Sequence, residues 1–130
     1  MKILGIGVDI IDNKRIKTLL KNKKFIMRTF GKNEIKFASK FKDKKNYFAK
    51  RFVAKEALVK SIGTGFRNGL NFKDIEVLND NLGKPYYSKS KKIGKIIYKR
   101  FKIKKYNLML SISDEKNYSI AFTVLQGKND

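Results

Sequence analysis

The stretch FAKRFVAKEALVKSIGTG, residues 48–65, decides the fold of this chain. Its composition favours a long helix, and Gly63 is a typical helix end. On a helical wheel of about 100° per residue, Glu56 falls on the apolar side beside Phe52, and Lys60 follows one turn later. An ionised carboxylate among apolar side chains is costly unless it finds a partner. Two interpretations therefore stay open: Glu56 forms an i,i+4 ion pair with Lys60, or it belongs to a functional site.

A second unusual carboxylate, Asp9, stands near the end of the first predicted strand, which alternates with a two-residue period. Leu4, Ile6, Val8 and Ile10 face one way, and Ile3, Gly5, Gly7 and Asp9 face the other. The two glycines allow another element to approach the backbone closely. Asp9 alone could cap a turn or helix. Together with Glu56 it would suit an octahedral Mg²⁺ site completed by water and phosphate oxygens.

Residues that could hold phosphate surround this predicted metal site. Lys60 is followed by the turn Gly63-Thr64-Gly65, and backbone amides of a glycine turn with a lysine can cradle phosphate, although most such triplets are only turns. Arg51, earlier on the same helix, could reach another phosphate or be an exposed helix charge. Lys55 also falls toward the apolar side, and we expect its long side chain to reach solvent.

Length and composition restrict the classes of protein. The chain has 130 residues, 42% of them hydrophobic, which predicts one domain over 1–125 with a C-terminal tail at 126–130. It lacks both cysteine and histidine, so disulfides, thiolate sites and histidine catalysis are excluded, and any metal must be held by oxygen. The apolar run at residues 3–11 is too short to span a bilayer, and no signal peptide is recognised, so a cytoplasmic location without membrane attachment is expected.

The formal net charge of +21 calls for a polyanionic partner or a compositional explanation. Only five of the 32 basic residues are arginine, which favours solvated lysine faces. The alternative function is a small basic nucleic-acid-binding protein, in which the aromatic residues of YKRFKIKKY at 98–106 would stack on bases.

The remaining pattern predicts an α+β fold in which a small antiparallel sheet packs on a long central helix. Asp12 or Asn13 caps a first short helix, and Asp43 caps the long one. The further predicted elements are short helices at 25–30 and 33–40, a strand at 73–79, a turn at 79–85, a strand at 86–87, a helix carrying Ile93, Ile96, Ile97 and Phe101, and a hairpin of strands 107–113 and 118–125.

Four segments carry a resemblance to a known family: GIGVDI at 5–10, FAKRFVAKEALVKSIGTGFRNGL at 48–70, FKDIEVLNDNLGKP at 72–85 and LSISDEKNYSIAFTVL at 110–125. The chain resembles the bacterial holo-acyl-carrier-protein synthases, the small class of 4′-phosphopantetheinyl transferases. The resemblance implies Mg²⁺-dependent transfer of 4′-phosphopantetheine from coenzyme A to a serine of apo acyl carrier protein, releasing adenosine 3′,5′-bisphosphate. An inactive relative serving as a structural subunit is the remaining alternative.

The resemblance also implies roles for residues. Asp9 and Glu56 would hold Mg²⁺ with the coenzyme's pyrophosphate, and Lys60 would neutralise the phosphates as the third catalytic residue. The Gly63–Gly65 turn would lie beside them, Arg51 near the 3′-phosphate, and Pro85 against the adenine. The serine's proton would pass to a water on the metal or to Glu56, and whether Mn²⁺ replaces Mg²⁺ stays open.

The partners follow from the same resemblance. The carrier protein is acidic, and the implied docking residues are Arg15, Lys21 and Arg28. The family forms homotrimers whose sites a neighbouring subunit completes, and we expect the seam on the exposed face of the 107–125 hairpin, at Met109, Phe122 and Val124. Many relatives have histidine where this chain has Asp114, so the role of Asp114 stays open.

Overall fold

The computed structural model describes residues 1–66 and 69–128. The predicted glycine loop at 63–70 and the predicted tail at 126–130 therefore fall partly outside the described residues. Eleven elements follow one another along the chain. They are β1 (Lys2–Asp12), α1 (Asn13–Leu19), α2 (Lys23–Thr29), α3 (Lys32–Ala38), α4 (Lys44–Ile62), a 3₁₀ turn (Phe72–Asp74), β2 (Val77–Asn79), β3 (Pro85–Tyr87), α5 (Lys91–Phe101), β4 (Lys105–Asp114) and β5 (Tyr118–Lys128).

The strands form two antiparallel sheets, and the larger has the order β1-β5-β4. Strand β5 lies in its centre, where Asp9 is paired with Ala121 and Ala121 with Ile112. Strands β2 and β3 form a separate ladder that closes with Asn79 opposite Pro85. The predicted α+β fold, with an antiparallel sheet on a long helix, is confirmed.

Helix α4 is the centre of the molecule, and its bounds follow from local signals in the sequence. The Asp43 side chain accepts a hydrogen bond of 2.9 Å from the Lys45 amide at the start of the helix, and Gly63 ends it with φ of 85°. Only a residue without a Cβ adopts that φ without strain. The helix is buried on most of its circumference because the large sheet covers one side and the short helices cover the others.

The glycines of β1 are where the sheet meets this helix. A Cβ built on Gly5 would lie 1.8 Å from the Ser61 carbonyl oxygen, and one built on Gly7 would lie 1.9 Å from the Ala57 carbonyl oxygen. These contacts are with helix backbone, which no side-chain rotation can relieve. The close approach that the two glycines predicted is therefore made by α4 itself.

We expect Gly7→Ala to lower the free energy of unfolding by about 1–3 kcal/mol or more, because the methyl group must push β1 away from α4. Urea unfolding followed by circular dichroism measures the change. Gly94→Ala in α5 is the matched control, since its Cβ would meet the Tyr106 hydroxyl at an ordinary 3.5 Å. That control should be neutral or slightly stabilising, as alanine favours helix over glycine. Equal stability of Gly7→Ala and the wild type would contradict this packing.

Two predicted boundaries are wrong. The strand expected at 73–79 begins only at Val77, because the Asp74 carboxylate accepts a 2.8 Å hydrogen bond from the Asn71 amide and closes a 3₁₀ turn instead. The expected tail at 126–130 is ordered strand as far as Lys128, because Gly127 pairs with both β1 and β4. Residues 129–130 lie outside the described part of the chain.

The face of the large sheet that points away from α4 carries exposed apolar side chains. We call it the outer sheet face, and it consists of Ile6, Val8, Ile10, Met109, Ile120 and Phe122, all at least 38% exposed. The register confirms one shared face, since Val8 is paired with Phe122 and Ile10 with Ile120. An exposed apolar patch of this kind typically marks an interaction surface. Among the described residues no helix is long and apolar enough to cross a membrane.

Candidate active site

Asp9 of β1 lies close enough to Glu56 of α4 for its charge to act on that carboxylate, and Lys60 of α4 bridges to the strand. The Lys60 ammonium donates to the Asp9 carboxylate at 3.1 Å and to the Val8 carbonyl at 3.0 Å. Within the described residues Asp9 is the ion-pair partner of Lys60, so the i,i+4 pair between Glu56 and Lys60 is not formed. The Lys60 side chain is 54% exposed and has donor capacity left for an anion.

Glu56 is half-buried beside this pair. Burial raises the pKa of Glu56, the negative charge of Asp9 raises it further, and Lys60 partly offsets both effects. The negative charge of Asp9 acts on Glu56, and one exposed lysine lies beside the two carboxylates, so the position has a net negative charge when both are ionised. Such a position favours a cation.

The donor set fits Mg²⁺. Carboxylate oxygens are hard ligands, and Mg²⁺ in enzymes commonly takes one or two carboxylates and completes its octahedron with water and phosphate oxygens. In residues 1–66 and 69–128 no group of three or more acidic side chains surrounds a common point. An ion here would therefore depend on a substrate phosphate for part of its shell.

The glycine turn lies just beyond Lys60, at the C-terminal end of α4. Gly63 and Gly65 have φ of 85° and 66°, and Thr64 is half-buried between them. Arg100 also reaches this point, because its Nε donates to the Ile62 carbonyl at 2.8 Å. Its guanidinium offsets the negative end of the helix dipole beside the turn. Sequence reasoning missed Arg100, since no local pattern places it next to residues 62–65.

Arg51 lies in different surroundings from the carboxylates. Only 4% exposed, it stacks on the Tyr47 ring at 3.8 Å and donates to the Asn79 side chain. The alternative of an exposed helix charge is wrong. Pro85 lies opposite Asn79 in the β2–β3 ladder, so Arg51 and Pro85 belong to one neighbourhood.

The helix separates this neighbourhood from the carboxylates. Arg51 and Glu56 are five residues apart, which places them about 140° apart around the axis and about 7.5 Å apart along it. One group, Asp9 with Glu56 and Lys60, is assembled on the β1 side of α4. The other, around Arg51, faces β2 and α3. Within one chain the members of each group lie close to one another, but the two groups lie on different sides of α4.

The prediction that the Lys55 side chain reaches solvent is wrong, because this side chain is completely buried. The ammonium pairs with Glu34 at 2.6 Å and donates to the Phe72 carbonyl at 3.0 Å and to the Ile75 carbonyl. Burial lowers the pKa of Lys55, and Glu34 opposes that change. Glu34 was missed because it lies 21 residues away. It also accepts from the amides of Gly31 and Val77, which joins α3, α4 and β2.

The predicted docking residues are all exposed. Arg15 lies on α1, Lys21 follows that helix, and Arg28 lies on α2. Asp12 is the cap of α1, accepting from the Lys14 amide at 2.9 Å. Asn13, the other candidate cap, is buried instead and donates to two carbonyls of the turn between β4 and β5.

Asp114 is held by its own chain. Its carboxylate accepts a 3.1 Å hydrogen bond from the side chain of Asn46, which also donates to the Glu115 carbonyl. Asn46 is in turn bound by Asn13 at 3.1 Å. Asp114 is thus tied to the first turns of α4 and α1.

The fold and the site together define a small α+β protein with two carboxylates that could hold a hard cation next to an exposed lysine, a combination that suits phosphate-transferring enzymes. The profile of the 4′-phosphopantetheinyl transferase superfamily matches residues 5–123. The chain is 59% identical over 128 residues to a holo-[acyl-carrier-protein] synthase of Pelagibacter ubique, covering 98% of this chain and 100% of that one. It is 45% identical to the enzyme of the same name from Clostridium tetani, with 97% and 98% covered.

Solved structures agree. A holo-(acyl-carrier-protein) synthase from Bacillus anthracis, in complex with CoA (3′,5′-ADP), superposes with a TM-score of 0.82 at 36% identity, covering 98% of this chain and all of that one. The Helicobacter pylori enzyme in complex with coenzyme A superposes with a TM-score of 0.77 at 30% identity, with 93% and 99% covered. The chain belongs to the 4′-phosphopantetheinyl transferase superfamily and, within it, to the holo-[acyl-carrier-protein] synthases.

Proposed function

We propose that this enzyme transfers 4′-phosphopantetheine from coenzyme A to a serine of apo acyl carrier protein, in a Mg²⁺-dependent reaction that releases adenosine 3′,5′-bisphosphate. The observation that carries the proposal is the convergence of Asp9, from β1, and Glu56, from α4, beside the exposed Lys60. The relatives' names and the coenzyme A complexes of similar structures support the choice of donor and acceptor.

The chain's own residues supply positioning and charge. Asp9 and Glu56 would hold Mg²⁺, which would polarise the pyrophosphate bond and neutralise charge on its oxygens. Lys60 has ammonium protons free to offset negative charge on the departing 5′-phosphate. Candidates to take the serine proton are a water and Glu56.

A direct assay tests the proposal. The protein is incubated with coenzyme A, Mg²⁺ and an apo carrier protein, and the carrier is weighed by mass spectrometry. We expect its mass to rise by one phosphopantetheinyl group, and a carrier of unchanged mass would refute the function. A nucleic-acid-binding protein would instead show tight binding in gel shifts with a steep dependence on salt. We regard nucleic-acid binding as incidental to the charge, and the cytoplasmic location stays a prediction.

We propose that the carrier docks on α1 and α2, where Arg15, Lys21 and Arg28 are exposed. Exposed charges around an interface mainly raise the association rate, and salt screens their effect. Arg15→Ala should raise the KM for the carrier about fivefold at low ionic strength and leave the KM for coenzyme A unchanged. Steady-state kinetics at two salt concentrations measure both values.

The control for this prediction is Lys95→Ala, which removes a positive charge from the exposed side of α5. It should leave both KM values unchanged. An unaltered carrier KM in Arg15→Ala at low salt would exclude the docking role.

We propose that the enzyme is a homotrimer with shared sites, as the resemblance implies. Two observations support an assembly: the exposed outer sheet face and the separation of Arg51 from Glu56 around α4. A donor that contacts both groups can do so if they come from different subunits. Strand β1 adds Ile6, Val8 and Ile10 to the seam predicted from the hairpin alone. Sedimentation equilibrium of the purified protein tests the oligomeric state.

A further inference from the structure

The glycine turn Gly63-Thr64-Gly65 follows the C-terminal end of α4, which is the end of a helix that disfavours anions. This end carries partial negative charge, and its last carbonyls have no partner within the helix. In the proposed function the turn lies beside the phosphates of the donor. A phosphate there therefore needs positive groups that cover the carbonyls and offset the helix dipole.

The turn has free backbone donors, although the chain after it is held. Among the described residues, the amides of Thr64 and Gly65 have no hydrogen-bond partner. A Cβ built on Gly65 would have no atom of those residues within 4 Å, apart from its chain neighbours. The Phe66 ring lies 4.2 Å from the Phe72 ring, and Phe72 in turn stacks on Phe52 at 5.3 Å. The turn is therefore open to a ligand and fixed at its far end.

Arg100 of α5 fixes the near end of the turn. Its Nε donates to the Ile62 carbonyl at 2.8 Å and so covers one of the last carbonyls of α4. Its guanidinium also lies against Gly63, since a Cβ built on that glycine would be 3.4 Å from Nη2 and 4.0 Å from Cζ of the arginine. One side chain from a distant helix therefore fixes where the turn leaves α4.

Arg100 brings positive charge as well as a fixed geometry. Helix α5 is anchored in the core by Ile93, Ile96 and Ile97, all buried, whereas the Arg100 side chain is exposed. Within the described part of the chain only the Nε of its guanidinium makes a hydrogen bond, so the other N–H groups stay available. The arginine thus offsets the negative end of α4 at the point where the free amides lie.

We infer that Arg100 is a positioning residue for donor binding. It holds the Gly63–Gly65 turn in place and offsets the dipole of α4, so that the turn accepts the phosphates of coenzyme A. The inference rests on the proposed function for the identity of the donor. Neither the sequence pattern nor the resemblance gives α5 a part in donor binding.

Titration calorimetry with coenzyme A measures this role apart from catalysis. We expect Arg100→Gln to bind coenzyme A about tenfold more weakly, because a charge-assisted hydrogen bond that holds the turn is lost. In steady-state transfer the KM for coenzyme A should rise by the same factor, while kcat and the KM for the carrier stay within about twofold of the wild type. Arg100→Lys keeps the charge and a donor for the Ile62 carbonyl, and it should recover most of the affinity.

Lys99→Gln is the matched control, because it removes the preceding, exposed positive charge of α5 and leaves the contact of Arg100 with Ile62 in place. It should bind coenzyme A as the wild type does. Urea unfolding is measured on each variant, since a purely structural role would lower the urea midpoint and leave the affinity of the folded protein unchanged. Unchanged affinity in Arg100→Gln, an equal loss in Lys99→Gln, or a lower kcat with unchanged affinity would overturn the inference.

The carrier mass assay on the same proteins separates this inference from the proposed function. Transfer by the wild type together with unchanged coenzyme A affinity in Arg100→Gln would refute the inference and leave the function standing. Coenzyme A binding that depends on Arg100, in a wild type that transfers nothing, would support the inference and refute the function.

Discussion

Glu56→Gln is expected to lower the rate of phosphopantetheinyl transfer by on the order of a thousandfold. The amide keeps the size of the side chain but removes the charge that, with Asp9, favours a divalent cation at this position. The rate is measured as the mass increase of the carrier in timed incubations with coenzyme A and Mg²⁺. Asp9→Asn should have an effect of similar size, since it removes the other carboxylate.

The stability of Glu56→Gln separates a lost site from a lost fold. Because burial and Asp9 raise the pKa of Glu56, its ionised form disfavours the folded state above that pKa. Stability of the metal-free wild type should therefore rise as the pH falls through the raised pKa, and the glutamine variant should lack this pH dependence. At neutral pH and without metal the variant should be as stable as the wild type or slightly more stable.

The control for the activity loss is Asp43→Asn, which removes a carboxylate elsewhere and keeps a good N-cap for α4. It should transfer at nearly the wild-type rate. Transfer at the wild-type rate by Glu56→Gln would show that this carboxylate takes no part in the reaction.

Lys55→Met is expected to lower the free energy of unfolding by about 3–5 kcal/mol. The substitution fills similar volume but leaves the completely buried Glu34 carboxylate without its ammonium partner, and the carbonyls of Phe72 and Ile75 without a donor. Urea unfolding measures the change. The neighbouring Glu56 faces a different side of the helix. We therefore expect Lys55→Met to lower the stability of the protein before it affects the site at Glu56.

Two further variants identify the cause. Glu34→Gln/Lys55→Met removes both charges of the buried pair and should recover part of the loss. Lys50→Met, on the same helix but only half-buried, should change stability little. A Lys55→Met protein within about 1 kcal/mol of the wild type would mean that the buried pair contributes no net stability.

Much of the site could be predicted from the sequence because its signals are local. Asp43 and Gly63 mark the ends of α4 through cap chemistry, and the alternation in β1 places Asp9 on the same face as two glycines. The position of Glu56 on the apolar side of a helix left two interpretations open, and the pairing of Lys60 with Asp9 excludes the ion pair within the helix. The resemblance of the four motifs then specified the family, which the comparisons confirm.

The errors in and around the site concern residues whose partners are distant in sequence. Lys55 was expected to reach solvent, yet it pairs with Glu34, which is 21 residues away. Lys60 pairs with Asp9, which is 51 residues away, and not with Glu56 of its own helix. A wheel or a strand pattern describes which face a residue occupies and contains no information on which chain segment covers that face.

By itself the sequence determined the long helix, the glycine face of the first strand, the acidic pair and the family, because each depends on residue types at short, regular spacing. Only the tertiary structure decided that β1 packs on α4 through its glycines and leaves Ile6 and Ile10 on the outer sheet face. It alone placed Arg51 and the carboxylates on different sides of one helix. The physical reason is that steric contact and charge pairing act between neighbours in space, and packing rather than periodicity chooses those neighbours.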